Sequence, residues 1–234
     1  MIQLIAFLCF QMQKILSIDL DALWEGTDTI YRDPGKKLDH HLFQVVKSLS
    51  ECTTRNLEVG IDHHQICLLL DDCSERFEID HLDAHHDLYA ENYISWLNPL
   101  FIRGRRVNIG NFLFQLLRER SLTSMHWLIP SGMDPEASYR EIQLLVGNFY
   151  SQKVKVSCAR HFQFSTHYDL IFISLSPEWI PISDLPYVTE ILKDFKFSSD
   201  TIETCINAML KRWDCGDDPF LTRKDRFYFD YSYK

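Results

Sequence analysis

Asp83-Ala84-His85-His86-Asp87 is a costly stretch for any chain to bury. It follows Phe77-Glu78-Ile79-Asp80-His81-Leu82, whose β-branched and aromatic content reads as a short strand. In an extended backbone, side chains two apart share a face, so Asp83, His85 and Asp87 point the same way. Asp is a poor strand residue and crowded carboxylates repel one another, so strand formation does not ask for this trio. Carboxylate, imidazole, carboxylate at the carboxyl end of a strand is half of a site for a hard divalent cation. The competing reading is a solvated polar loop that happens to hold several histidines.

Two further strand ends repeat the pattern. Lys14-Ile15-Leu16-Ser17-Ile18 runs into Asp19-Leu20-Asp21, and Leu57-Glu58-Val59-Gly60-Ile61 ends in Asp62-His63-His64. Asp169-Leu170-Ile171-Phe172-Ile173-Ser174-Leu175 is the most apolar strand of the chain, as a central parallel strand buried on both faces would be. Met125 to Ile129 reads as a strand stopped by Pro130, and Lys153 to Val156 as an outer or edge strand. Helical spacing covers 38–49, 111–119, 137–149 and 202–213, while 27–35 reads as a loop. Strands alternating with helices predict an α/β fold, a three-layer sandwich around a largely parallel sheet. In such sheets ligands bind outside the carboxyl ends of the strands, where these acids and imidazoles would meet.

Composition narrows the classes. A chain of 234 residues suits a single α/β domain spanning 1–234. A net charge of -9 argues against nucleic acid or an anionic membrane as partner and suits a cationic ligand or a metal-rich site. Seven scattered Cys with no C-x-x-C pair fit reduced thiols in a cytoplasmic protein. The apolar segment 1–11 lacks a basic start or a cleavage site and is too short to span a bilayer, so it reads as an extension. From Phe220 the tail is basic and aromatic against an acidic body.

Four carboxylates gathered at one rim cannot all stay ionised without compensation, and two divalent cations would neutralise them. Oxygen and nitrogen ligands without thiolate favour Mn²⁺, or Fe²⁺ or Co²⁺, over structural zinc.

These segments carry a resemblance. Asp83-Ala84-His85-His86-Asp87 resembles the D-A-H-x-D signature of the arginase-like ureohydrolases, Ser17-Ile18-Asp19-Leu20-Asp21 their S-x-D-x-D segment, and Asp62-His63 their G-D-H segment. The order is permuted, since D-x-D here comes first. That order, followed by Trp127-Leu128-Ile129-Pro130 and Ser176-Pro177-Glu178-Trp179-Ile180-Pro181, resembles the UPF0489 group, which includes peptide arginases. The resemblance implies an arginase-like fold. It implies two Mn²⁺ held by Asp19, Asp21, His63, Asp83, His85 and Asp87, with His64 competing for the place of His63 and His86 turned away. The implied reaction cleaves the guanidinium of arginine in a ribosomally made precursor peptide to ornithine and urea, through a hydroxide shared between the ions.

A guanidinium is resonance-stabilised and always charged, so the leaving amine needs a proton donor and the cation needs a planar acceptor. His126 is the first candidate donor, with His161 and His167 as alternatives and a bridging Asp83 or Asp19 as a relay. Glu178 is the candidate acceptor and Trp179 a wall of the side-chain slot. Two other classes compete: a metal-dependent phosphoesterase, suggested by Asp19-Leu20-Asp21 and by Asp62-His63-His64, and a non-catalytic metal-binding protein. Against the haloacid-dehalogenase form of the first, Leu23 stands where a Thr is expected.

Overall fold

The apolar run ending at Ser174 lies inside the sheet, as its composition demands. The computed structural model describes residues 12–24, 37–70, 76–89, 100–102, 105–119 and 121–214. The extension at 1–11, the loop at 27–35 and the basic tail from Phe220 lie outside the described residues.

Six strands form one sheet: β1 (Gln13–Asp19), β2 (Thr53–Gly60), β3 (Phe77–Leu82), β6 (Leu122–Ile129), β7 (Val154–Cys158) and β8 (His167–Ser174). Their order is β2-β8-β1-β3-β6-β7, and every neighbouring pair is parallel. The strand expected at 153–156 is indeed an edge strand. A separate antiparallel pair, β4 (Leu100–Ile102) and β5 (Arg105–Val107), has no counterpart in the sequence reading.

Helices cover both faces, because the inner strands carry apolar residues on both. On one face Leu16, Ile18, Leu82, Leu128, Ile171 and Ile173 pack with α1 (His40–Ser48), α5 (Leu185–Asp194) and α6 (Ser199–Asp214). On the other, Ile15, Phe77, Ile79, Met125, Trp127 and Phe172 pack with α2 (Ile66–Leu70), α3 (Phe112–Arg118) and α4 (Pro135–Ser151). The result is a three-layer α/β sandwich. Asp39 starts α1 by accepting hydrogen bonds from the His41 and Leu42 amides, and Asp134 with Pro135 starts α4. Helix α5 follows Pro181 after a short turn and lies outside the helical segments expected from the sequence. Among the described residues no helix is long and apolar enough to cross a membrane.

One glycine sits where nothing larger fits. At Gly60, the end of β2, a Cβ would lie 2.6 Å from Gln65 Oε1 and 2.7 Å from Phe172 Cζ. Gly60→Ala should therefore cost about 1–3 kcal/mol, as overpacking does. Urea unfolding measures this, and an unchanged midpoint would contradict it.

Candidate metal centre

Parallel topology sets the carboxyl ends of β1 and β3 side by side, with β2 one strand beyond β8. Each end then turns sharply. Asp19 closes β1 and caps the short helical turn Leu20–Leu23, its Oδ1 accepting from the Asp21 amide at 3.2 Å. After β2, Asp62 opens the turn His63–Gln65, where Gln65 Oε1 accepts from the Ile61 and Asp62 amides at 2.7 and 3.1 Å. After β3 the chain leaves the sheet at Leu82, and the His85 amide donates to Asp83 Oδ1 at 2.6 Å. Asp87 takes a left-handed backbone with φ 51°, a conformation Asp tolerates better than most residues. Asp83, His85 and Asp87 are thus gathered by a turn, and not by strand alternation as the sequence suggested.

The resulting side chains fall into two groups that share one carboxylate. His63, His81, Asp83 and Asp87 place ligand atoms within 4.8 Å of one another, and so do Asp21, Asp83 and His85. Asp83 Oδ2 lies 2.8 Å from His63 Nδ1 and 3.3 Å from His81 Nε2. Its other oxygen, Oδ1, lies 3.6 Å from His85 Nδ1, which is itself 3.2 Å from Asp21 Oδ2. One carboxylate therefore faces both groups, an oxygen to each. Asp19 Oδ2 abuts the first group, 3.2 Å from His63 Nδ1. All these side chains are buried except His85, whose 31% exposure marks the opening.

Surrounding residues hold the ligands in place. Ser17 Oγ lies 2.5 Å from His63 Nε2; with an Nε2–H donated to the serine, Nδ1 would offer its lone pair to a cation among the carboxylates. Ser176 Oγ donates to Asp19 Oδ2 at 2.6 Å, and Trp127 Nε1 donates to the Asp83 carbonyl at 2.9 Å.

The donor set fits a metal on its own evidence. His81 Nδ1 and Asp21 Oδ1 are buried without a hydrogen bond among the described residues, and His81 Nε2 has only Asp83 Oδ2, at 3.3 Å. Orphaned buried polar atoms are expensive, and a cation is the partner that satisfies imidazole nitrogen and carboxylate oxygen together. The buried His/Asp cluster can hold a metal ion, and its oxygen and nitrogen donors suit hard to borderline divalent ions.

Without a cation the cluster keeps protons instead. Asp19 is pushed up to about 7, first by burial and then by Asp21 and Asp83. Burial, followed by Asp83, likewise raises Asp21 and Asp87. Burial works against charge on His63 and His85, but their neighbouring carboxylates outweigh it and hold both well above the usual imidazole range. Burial also opposes ionisation of Asp83, yet His63, His81 and His85 around it hold it well below the usual carboxylate range. His81 is lowered, chiefly by burial.

The remaining sequence candidates are placed as follows. His64 is fully buried and pushed down to about 4, mainly by burial, and belongs to neither ligand group. His86 points away, its Nδ1 accepting from the Leu88 amide and its ring packed on Tyr89 and Trp127. His126 aligns with Asp80 in β3, while His81 aligns with Trp127, so His126 and His81 occupy opposite faces of the sheet. It contacts Ser157 and Phe162 and is not brought to the cluster. Glu178 is engaged by Arg212 at 2.6 Å. Trp179 stacks at a tilt on His85, ring centroids 4.7 Å apart, beside the opening. The sequence reading missed His81, although it stands two residues before Asp83 in the same motif. It also gave no part to Arg212, which nothing local could have flagged.

The apoprotein's pH dependence follows. Asp19 ionises near its ordinary value when unfolded but only at about 7 when folded, so stability falls as pH rises between the two. His63 and His85 act in the same direction, stabilising below their unfolded value and losing that stability as pH rises through the folded one. His64 and His81, lowered by burial, oppose this below the ordinary imidazole value, so in a chelator the melting temperature should drop between about pH 6.5 and about pH 8, and Mn²⁺ should remove the drop. A melting temperature in chelator that rises over that interval would contradict the account.

Comparison of the chain with protein-family models, with curated proteins and with solved structures gives no match, so the centre is read from its own geometry.

Proposed function

We propose that the chain is a dinuclear-metal hydrolase that cleaves the guanidinium of arginine residues in a peptide. The observation that carries this reading is Asp83, which presents one oxygen to each of two ligand groups. Bridging carboxylates of this kind belong to paired-ion sites. The resemblance of the three motifs to arginase-like ureohydrolases supports the same reading, with Mn²⁺ as the first candidate and Fe²⁺ or Co²⁺ as others.

Two bound cations supply Lewis acidity and a water acidified towards neutrality. The chain's own residues do the rest. His63, His81 and Asp87 would hold one ion, Asp21 and His85 the other, with Asp83 common to both and Asp19 beside the first. Addition of the water oxygen to the central guanidinium carbon would be followed by cleavage of the bond to the arginine side-chain nitrogen. Urea would leave neutral and ornithine as its ammonium, so both protons of the water must pass to the leaving nitrogen. With His126 on the far face of the sheet, that transfer falls to the carboxylates of the cluster. Trp179 and the exposed edge of His85 form the entry, and an indole face there suits a delocalised cation. The net charge of -9 attracts an arginine-bearing peptide, in a salt-sensitive way. The chain's thiol pattern is compatible with action in the cytoplasm.

Incubation with Mn²⁺ and arginine-containing peptides should release urea and leave ornithine, and Asp83→Asn should lower the rate more than about 100-fold. Absence of urea from every peptide, with phosphate released from a generic ester, would replace this reading by a phosphoesterase.

A further inference from the structure

The chain carries a guanidinium of its own beside the centre. Arg212, on α6, is buried and uses two different nitrogens on two different carboxylates: Nη1 donates to Glu178 Oε1 at 2.6 Å and Nη2 to Asp62 Oδ2 at 2.8 Å. We infer that Arg212 is a positioning residue, clamping together the two turns that aim the metal ligands.

The Asp62 arm ends one residue from His63, and the Glu178 arm ends in a turn whose two ends touch Asp19 and His85. Asp62 opens the turn that delivers His63, whose Nδ1 faces Asp83, Asp19 and Asp87. Glu178 lies in the turn from Ser176 to Trp179, closed by the Trp179 amide donating to the Ser176 carbonyl at 3.0 Å. At one end of that turn Ser176 holds Asp19, and at the other Trp179 packs on His85. The turn also stores backbone strain, since Ser176 has φ 38°. A strained turn keeps its shape only when its surroundings fix it, and the Glu178 arm is one such fixture.

A cavity of about 340 Å³ opens between the end of β2 and α6, bordered by Gly60, Asp62, Gln65, Cys205, Lys211 and Arg212. Beside that gap the ionic link spans from helix to turn, and adds a directional tie to the apolar contacts that α6 makes with the core. A lysine keeps the charge but presents a single nitrogen, so it cannot satisfy both carboxylates in the planar geometry a guanidinium offers. Helix α6 itself remains anchored through Ile202, Cys205 and Met209 in the core.

The inference rests on the metal-centre reading, and the test separates the two. Mn²⁺ binding to full-length wild type and Arg212→Lys is measured by titration calorimetry, with melting curves in chelator alongside. Wild type should bind two ions, and folded Arg212→Lys should bind with about 10–100-fold weaker affinity, the usual loss when a residue supporting a ligand is changed. A purely structural role would lower the melting temperature in chelator and leave the affinity of the folded protein unchanged. That result overturns the inference alone, whereas a wild type that takes up no Mn²⁺ overturns the metal-centre reading and this inference with it. If Arg212→Lys does not fold, Glu178→Gln keeps the Asp62 arm and is judged by the same affinity: weakened supports the clamp, unchanged overturns it.

Discussion

Asp83 is the residue on which the rest depends, because a carboxylate with an oxygen in each of two buried ligand groups ties them into one centre. Asp19, Asp21, Asp83 and Asp87 are all buried within the same few ångströms. Such a group cannot be fully ionised in a low-dielectric interior by itself. Protons or cations must make up the difference. The raised values of Asp19 and Asp87, and the charge favoured on His63 and His85, show where protons sit when cations do not. The same positions are the ones a divalent ion would neutralise.

The fold answers this electrostatic problem with rigid supports. Parallel strands aim three chain segments at one rim, and each segment turns as soon as it leaves the sheet. Ser17 holds the ring of His63, Ser176 holds Asp19, and Trp127 holds the backbone of Asp83. These supports come from β1, the turn after β8, and β6, so the centre is stitched across the middle of the sheet. Flexibility at the rim would let the carboxylates part, and the hydrogen bonds oppose that.

Much of this was legible from residue order because the signals are local. The strand at 77–82 and the apolar strand ending at Ser174 have the composition their positions demand, and the edge strand near Lys153 announces itself by alternating lysine with valine. Five of the expected acids and imidazoles fall into the two ligand groups, with Asp19 beside the first, although through turns that a period-two argument does not describe. What stayed hidden was tertiary. His81 was readable by its spacing from Asp83, yet a lone histidine inside a strand reads as packing. The Arg212 bridge spans 150 residues to Asp62, and no local pattern couples them. His126 shows the converse: a histidine in a strand attracts a catalytic role, but strand parity turns it to the face opposite His81.

The most direct measurement is anomalous scattering from a crystal of the full chain grown with Mn²⁺. The account predicts two peaks flanking Asp83, one against His63, His81 and Asp87, the other against Asp21 and His85. No peak at Asp83, with ions only elsewhere on the molecule, would contradict it.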